Sequence, residues 1–195
     1  ILDNTLIIFT SDNGAEKIAG EKYDGANGYF NGYKSTLYEG GIHVPAIFYY
    51  PKTMKHRNND QLMTTMDLMP TILEFCGIEN QKPDIDGISL LPTLTNESYD
   101  LPERNLFWSN RGWMAMRSNE WKLVRQTDKT ELFNMLIDPK EQHDLSSIYP
   151  EKTEEMKAVT ETWWNEVTAG TRLEGTSSLQ PVRMQMPQGT TPPRQ

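Results

Sequence analysis

Thr5-Leu6-Ile7-Ile8-Phe9-Thr10-Ser11-Asp12-Asn13-Gly14 runs without a break from an apolar, β-branched segment into a polar turn. Apolar residues occupy both alternating sets of positions in 5–10, the pattern of a strand covered on two faces, as in the parallel sheet of an α/β fold. Asp12 and Asn13 follow at once, at the carboxyl end of that strand, where open α/β sheets place their ligand-binding loops. Both offer hard oxygen donors suited to calcium or magnesium, whereas zinc or iron more often takes His or Cys. Taken alone, Asp-Asn-Gly is an ordinary turn. A hairpin turn, however, leads into a second strand, and Ala15-Glu16-Lys17-Ile18-Ala19-Gly20 does not read as one.

Downstream, residues 14–41 are rich in Gly, Asn and Tyr with little period, a long loop of the functional or disordered kind. It contains Lys34, a compact cation able to hold a sulfate or phosphate oxygen, though a lone lysine there is more often a solvated surface one. It ends at Glu39-Gly40-Gly41, where the glycines permit a tight turn and a close backbone approach. A second apolar run spans 44–50. A helix capped by Thr64 or Thr65 follows, with Met66, Met69, Leu73 and Cys76 at helical spacing, Pro70 in its first turn and Gly77 at its end. Leu68, Ile72 and Phe75 widen its apolar face, so the helix, Cys76 included, is expected in the core.

Past Asn96 the pattern changes to short strands at 105–109, 113–118, 121–126 and 131–134, a small antiparallel sheet. Pro150 opens a helix with Glu151, Glu154 and Glu155 near its start and Met156, Val159, Trp163 and Val167 on one stripe, expected to pack on that sheet. The division is therefore an incomplete α/β core over 1–96, a small α+β subdomain over 97–169 and an extended or disordered tail over 170–195.

A net charge of -8 argues against a nucleic-acid partner, which would require a basic surface. No apolar run is long enough to span a bilayer. One cysteine, Cys76, excludes an internal disulfide framework and multi-cysteine metal sites. His43, His56 and His143 show no ligand spacing. The opening Ile1-Leu2-Asp3-Asn4, with no initiator Met and a strand within a few residues, reads as a cut piece.

In combination these motifs are more specific. Ser11-Asp12-Asn13-Gly14, then Gly32-x-Lys34-x-x-x-x-Glu39-Gly40-Gly41-x-x-Val44-Pro45, then Asp67-Leu68-Met69-Pro70-Thr71 and Asp86-Gly87-Ile88-Ser89-Leu90 resemble the formylglycine-dependent sulfatases in order and spacing. Trp121-Lys122-Leu123, Glu131-Leu132-Phe133-Asn134 and Asp138-Pro139-Lys140-Glu141 resemble that family's carboxy-terminal subdomain, so the likeness covers roughly 1–165.

The resemblance implies an alkaline-phosphatase-like α/β core, calcium at Asp12 and Asn13 with magnesium less favoured, and contact of Lys34 with the sulfate. It implies a periplasmic or extracellular setting and, as substrate, a sulfated small molecule or sulfated carbohydrate. The nucleophile, a formylglycine made within a Cys/Ser-x-Pro/Ala-x-Arg motif, is expected upstream, since Cys76-Gly77-Ile78-Glu79-Asn80 does not match; the chain alone is then expected to be inactive. Two positions depart from the family: His43 and Asn31 stand where Arg is frequent. A phosphodiesterase or phosphonate hydrolase of the same superfamily is the runner-up, disfavoured because those enzymes tend to carry His where Asn13 stands. A noncatalytic carbohydrate-binding remnant using Arg111, Trp113, Arg117 and Trp121 is a third reading.

Overall fold

The computed structural model describes residues 1–16, 27–79 and 85–169; the tail expected over 170–195 and residues 17–20, read above as nonstrand, lie outside the described residues. A four-stranded antiparallel sheet forms the better-packed half. Its strands β3 (Asn105–Asn110), β4 (Trp113–Ser118), β5 (Trp121–Arg125) and β6 (Thr130–Asn134) are joined in chain order. Arg111 and Gly112, both at positive φ (51° and 85°), make the two-residue turn between β3 and β4, the backbone twist that tight hairpins require. Asn119, at φ 47°, serves between β4 and β5, where its short polar side chain tolerates the left-handed region.

Both faces of this sheet are covered. Met116, Leu123 and Leu132 face the carboxy-terminal helix α4 (Pro150–Ala169), meeting Met156 and Val159, while Phe107 stacks on Trp163 with ring centroids 5.0 Å apart. Thr153 and Thr160 are also buried on that helix face, whereas Val167 at its far end is exposed. Ala115, Val124 and Phe133 face the other way, against Leu37, Tyr38 and the short helix α1 (Glu39–Ile42). Leu123, Val124, Leu132 and Phe133 are at most 1% exposed, each burial contributing roughly 1.5–3 kcal/mol.

The amino-terminal half departs from the sequence expectation. Strand β1 (Ile7–Thr10) pairs antiparallel with β2 (Ala46–Tyr49), Ile7 opposite Tyr49 and Phe9 opposite Ile47, so the described residues contain a two-stranded ribbon and no parallel sheet. Those four side chains form one exposed apolar face. The helix expected in the core begins with a 3-10 turn at Thr65–Asp67, capped by Thr64, and continues as α2 (Leu68–Phe75). Met66, Met69, Ile72 and Cys76 are exposed, contrary to expectation. An apolar stripe reports what a side chain would bury against, and among the described residues little is there to receive it.

Asp67 organises this region. Fully buried, it accepts from both terminal guanidinium nitrogens of Arg104 (2.6 and 2.5 Å) and from the backbone N–H groups of Thr64 (2.8 Å) and Ile88 (3.0 Å). Thr71 donates to the Asp67 carbonyl and accepts from the Leu90 N–H, just before α3 (Leu91–Thr95). Gly87 lies against the Met66 carbonyl with no room for a Cβ. The Asp67–Thr71 and Asp86–Leu90 motifs thus form one laced unit.

A second charged cluster joins the two halves. Lys122 on β5, 0% exposed, reaches Glu39 (2.8 Å) and Glu141 (2.7 Å), and Arg117 on β4 lies 3.6 Å from Glu39. Burial pushes the Glu39 carboxyl up, but the His43 hydrogen bond and the Lys122 and Arg117 charges outweigh it and hold it at about 2. Burial pushes Glu141 up, and Lys122 offsets this only in part.

Two outcomes are expected. Arg104→Met strands a buried carboxylate and costs about 3–5 kcal/mol in urea unfolding, whereas a loss under about 1 kcal/mol would show that the pair holds nothing. Glu39, with its folded value below the ordinary 4.5, contributes stability that is fully present above pH 4.5 and is lost as pH falls through about 2. Unfolding measured between those values should fall less steeply in Glu39→Gln than in the parent; Glu141, shifted the other way, opposes this trend in both.

Candidate functional site

Asp12 and Asn13 stand where β1 ends, and their side chains are tied locally. Asp12 Oδ1 accepts from the Asn13 N–H (3.0 Å) and the Asn13 side-chain amide (3.1 Å), and Ser11 Oγ approaches it at 3.4 Å. The same Asn13 amide nitrogen donates to the Gly14 carbonyl at 3.3 Å, and Ser11 Oγ donates to the Asn13 carbonyl at 3.0 Å. Asp12 Oδ2 and Asn13 Oδ1 accept no hydrogen bond from the described residues. Two adjacent hard oxygens are therefore available, the donor chemistry that a calcium-class cation takes. Among the described residues no group of three or more His, Cys, Asp and Glu side chains converges as a metal site.

Backbone contacts hold the Lys34 loop against this turn. The Lys34 N–H donates to the Ala15 carbonyl (2.9 Å), and the Gly14 N–H donates to the Gly41 carbonyl (3.0 Å). A Cβ on Gly14 would overlap the Gly40 carbonyl, one on Gly40 the Gly32 carbonyl, and one on Gly41 the Thr36 carbonyl. The close approach anticipated at Glu39-Gly40-Gly41 is thus to the chain's own Asp12-Asn13 loop. Ser35, next to Lys34, sits at φ 76°, and its carbonyl is gripped by Asn110 Nδ2 at 2.7 Å. Lys34 itself is exposed, and its ammonium has no partner among the described residues.

Asp12, Asn13, His43, Trp108 and Arg117 line an open concavity of about 1250 Å³; Lys34 is not part of its wall. His43 Nδ1 lies 2.8 Å from Glu39 Oε2, and its ring stacks on Phe30 at 4.3 Å. Asn31, the other position where Arg is frequent in the family, meets the same turn through its carbonyl, which accepts from the Gly40 N–H at 2.5 Å. Residue order did not foretell that Arg117, Lys122 and Glu141 gather around Glu39. The available signal was Lys122 at an inward position of an otherwise apolar strand. The surface of Arg111, Trp113, Arg117 and Trp121 does not exist: Trp113 packs edge-on against Tyr38 on one face of the sheet, and Trp121 joins Met116 and Leu123 on the other.

Comparison with known proteins bears on the whole arrangement. Residues 1–78 match the Sulfatase family model. The chain is 41% identical over 110 residues to the uncharacterized sulfatase YdeN of Escherichia coli, covering 54% of this chain and 19% of that protein. It is 29% identical over 180 residues to an N-acetylglucosamine-6-O-sulfatase of Bacteroides thetaiotaomicron, covering 82% of this chain and 30% of that protein. A solved 2-O GAG sulfatase shares the fold at a TM-score of 0.66 and 23% identity, over 87% of this chain and 38% of that one. A structure in complex with its substrate D-glucosamine-2-N,6-O-disulfate superposes at 0.58 with 25% identity, over 89% of this chain and 37% of that one. The chain thus spans less than a third of the length of these curated relatives. Residues 1–78 thus carry a sulfatase-family domain, and the chain is similar in sequence and fold to part of these sulfatases.

Proposed function

We propose that this chain supplies part of the calcium and sulfate site of a sulfuric ester hydrolase whose nucleophile lies outside it. The observation that carries the reading is the contact between distant motifs: Gly14 to Gly41 and Ala15 to Lys34 bring the Asp12-Asn13 turn and the Lys34 loop side by side. Asp12 Oδ2 and Asn13 Oδ1 would hold the cation, and an amide oxygen where zinc-dependent relatives tend to carry an imidazole favours calcium over zinc. When bound, calcium supplies Lewis-acid polarisation of a sulfate oxygen. Lys34 would offset negative charge on the sulfate oxygens as the ester bond to sulfur breaks. The backbone bonds at Gly14 and Lys34 keep the two loops adjacent. The nucleophile is a formylglycine hydrate from an upstream Cys/Ser-x-Pro/Ala-x-Arg motif.

The substrate class is a sulfated small molecule or sulfated carbohydrate. The similar N-acetylglucosamine-6-O-sulfatase, and the similar structure holding D-glucosamine-2-N,6-O-disulfate as its substrate, support a sulfated sugar. Among the described residues no helix is long and apolar enough to cross a membrane. The phosphodiesterase reading has no observation of its own in this structure.

Four measurements test the proposal. The upstream coding sequence should contain the Cys/Ser-x-Pro/Ala-x-Arg motif, and an intact upstream half without it would remove the mechanism. In the full-length protein, Lys34→Ala should lower kcat/KM for an aryl sulfate about 10²–10³-fold with normal folding, because Lys34 is exposed. A phosphate diester turned over faster than the sulfate ester would instead favour the phosphodiesterase class. Titrated calorimetrically with calcium, the 195-residue chain should bind weakly or not at all, since two oxygens fall far short of the roughly six to eight calcium takes. Tight stoichiometric binding would contradict the shared site.

A further inference from the structure

We infer that Lys122 and Glu141 are positioning residues for the Asp12-Asn13 loop, acting through Glu39 and the Gly40-Gly41 backbone. Their consequence for catalysis rests on the sulfatase reading above; their effect on loop geometry does not.

The connection is continuous and mostly buried. Glu141 Oε2 accepts the Glu39 N–H at 2.7 Å, fixing the first residue of α1, and Lys122 bridges the two carboxylates at 2.8 and 2.7 Å. The side chains of Lys122 and Glu141 are 0% exposed and that of Glu39 is 8% exposed. From Glu39 the turn runs directly into Gly40 and Gly41, and the Gly41 carbonyl takes the Gly14 N–H at 3.0 Å. Gly14 follows Asn13 immediately, and the Gly40 carbonyl fills the place of its Cβ, so the loop cannot shift unless the turn shifts.

Ion pairing decides more than attachment. Apolar contacts between Leu37, Phe133 and Val124 would hold the turn on the sheet while tolerating some sliding and rotation. A lysine buried between two carboxylates tolerates little, since any displacement leaves a desolvated charge short of its partner. Glu141 itself is held at φ 54°, a left-handed backbone that a non-glycine residue keeps only where its surroundings impose it. Cation coordination and leaving-oxygen contacts demand placement within about 0.5 Å, which a rigid supporting shell supplies and a loose one does not. The turn is therefore referenced to β5 by charge, and the Asp12-Asn13 oxygens are referenced to the turn by backbone packing.

Amide hydrogen exchange in the full chain tests this directly. Glu141→Gln keeps the side-chain shape and an acceptor oxygen while removing the charge; Lys122→Met removes the bridge. Each should speed exchange at the Gly14 N–H at least tenfold while β3–β6 amides stay within about twofold of the parent. Arg104→Met, which weakens the Asp67 unit instead, should leave Gly14 at the parent rate relative to those strands. Should Lys122→Met fail to fold, Glu141→Gln carries the test. Unchanged Gly14 protection in Glu141→Gln, or equal loosening by Arg104→Met, would overturn the inference. In the full-length enzyme, Glu141→Gln should lower kcat on an aryl sulfate about tenfold with KM within about twofold, and Glu141→Asp should restore part of it; equal loss in both would mark Glu141 as merely structural. No sulfate ester enters the exchange measurement, so a full-length protein inactive on sulfate esters overturns the function and leaves the positioning result standing.

Discussion

A lysine ammonium sealed between two carboxylates cannot be left half-paired, and Lys122 imposes that requirement on everything around it. Its partners come from distant segments: Glu39 from the turn beside the candidate site, and Glu141, 102 positions on, from the segment after β6. Satisfying them brings α1 onto the sheet. With α1 in place, Leu37 and Tyr38 cover one face of β4–β6, and Gly40 and Gly41 receive Gly14. Such a cluster is weak evidence for net stability, because desolvation offsets much of the attraction. Its effect is to select one arrangement over its neighbours.

Asp67 plays a corresponding part in the other half. It pairs with Arg104, at the entry to the four-stranded sheet, and with two backbone N–H groups from separate segments. Both clusters therefore connect the amino-terminal half to the small sheet, and neither touches the Asp12 and Asn13 side chains. Motifs that resemble the sulfatase pattern consequently divide by role. Ser11–Gly14 and Lys34 carry the groups proposed to meet a ligand, while Asp67, Glu39, Lys122 and Glu141 hold the surrounding backbone.

The four strands and the long helix were legible almost to the residue, because period-two and period-3.6 patterns are bounded by turn residues such as Gly112 and Asn119, whose backbone needs are local. The position of Asp12 and Asn13 at the end of β1 was legible too, since they directly follow an apolar run. The antiparallel pairing of β1 with β2, and the exposure of Met66, Met69, Ile72 and Cys76, were not. Apolar spacing states that a face seeks cover and is silent on where the cover comes from.

Sequence by itself determined the four strands of the small sheet, the long carboxy-terminal helix and the family resemblance, and it named Asp12, Asn13 and Lys34 as candidates, because each depends on residue type and local order. Tertiary structure alone decided that the glycines of Glu39-Gly40-Gly41 close upon Gly14, and that Lys122 joins Glu39 to Glu141. Those contacts link residues about 20 to 100 positions apart, and no local rule of propensity or periodicity encodes which distant carboxylate a buried lysine will meet.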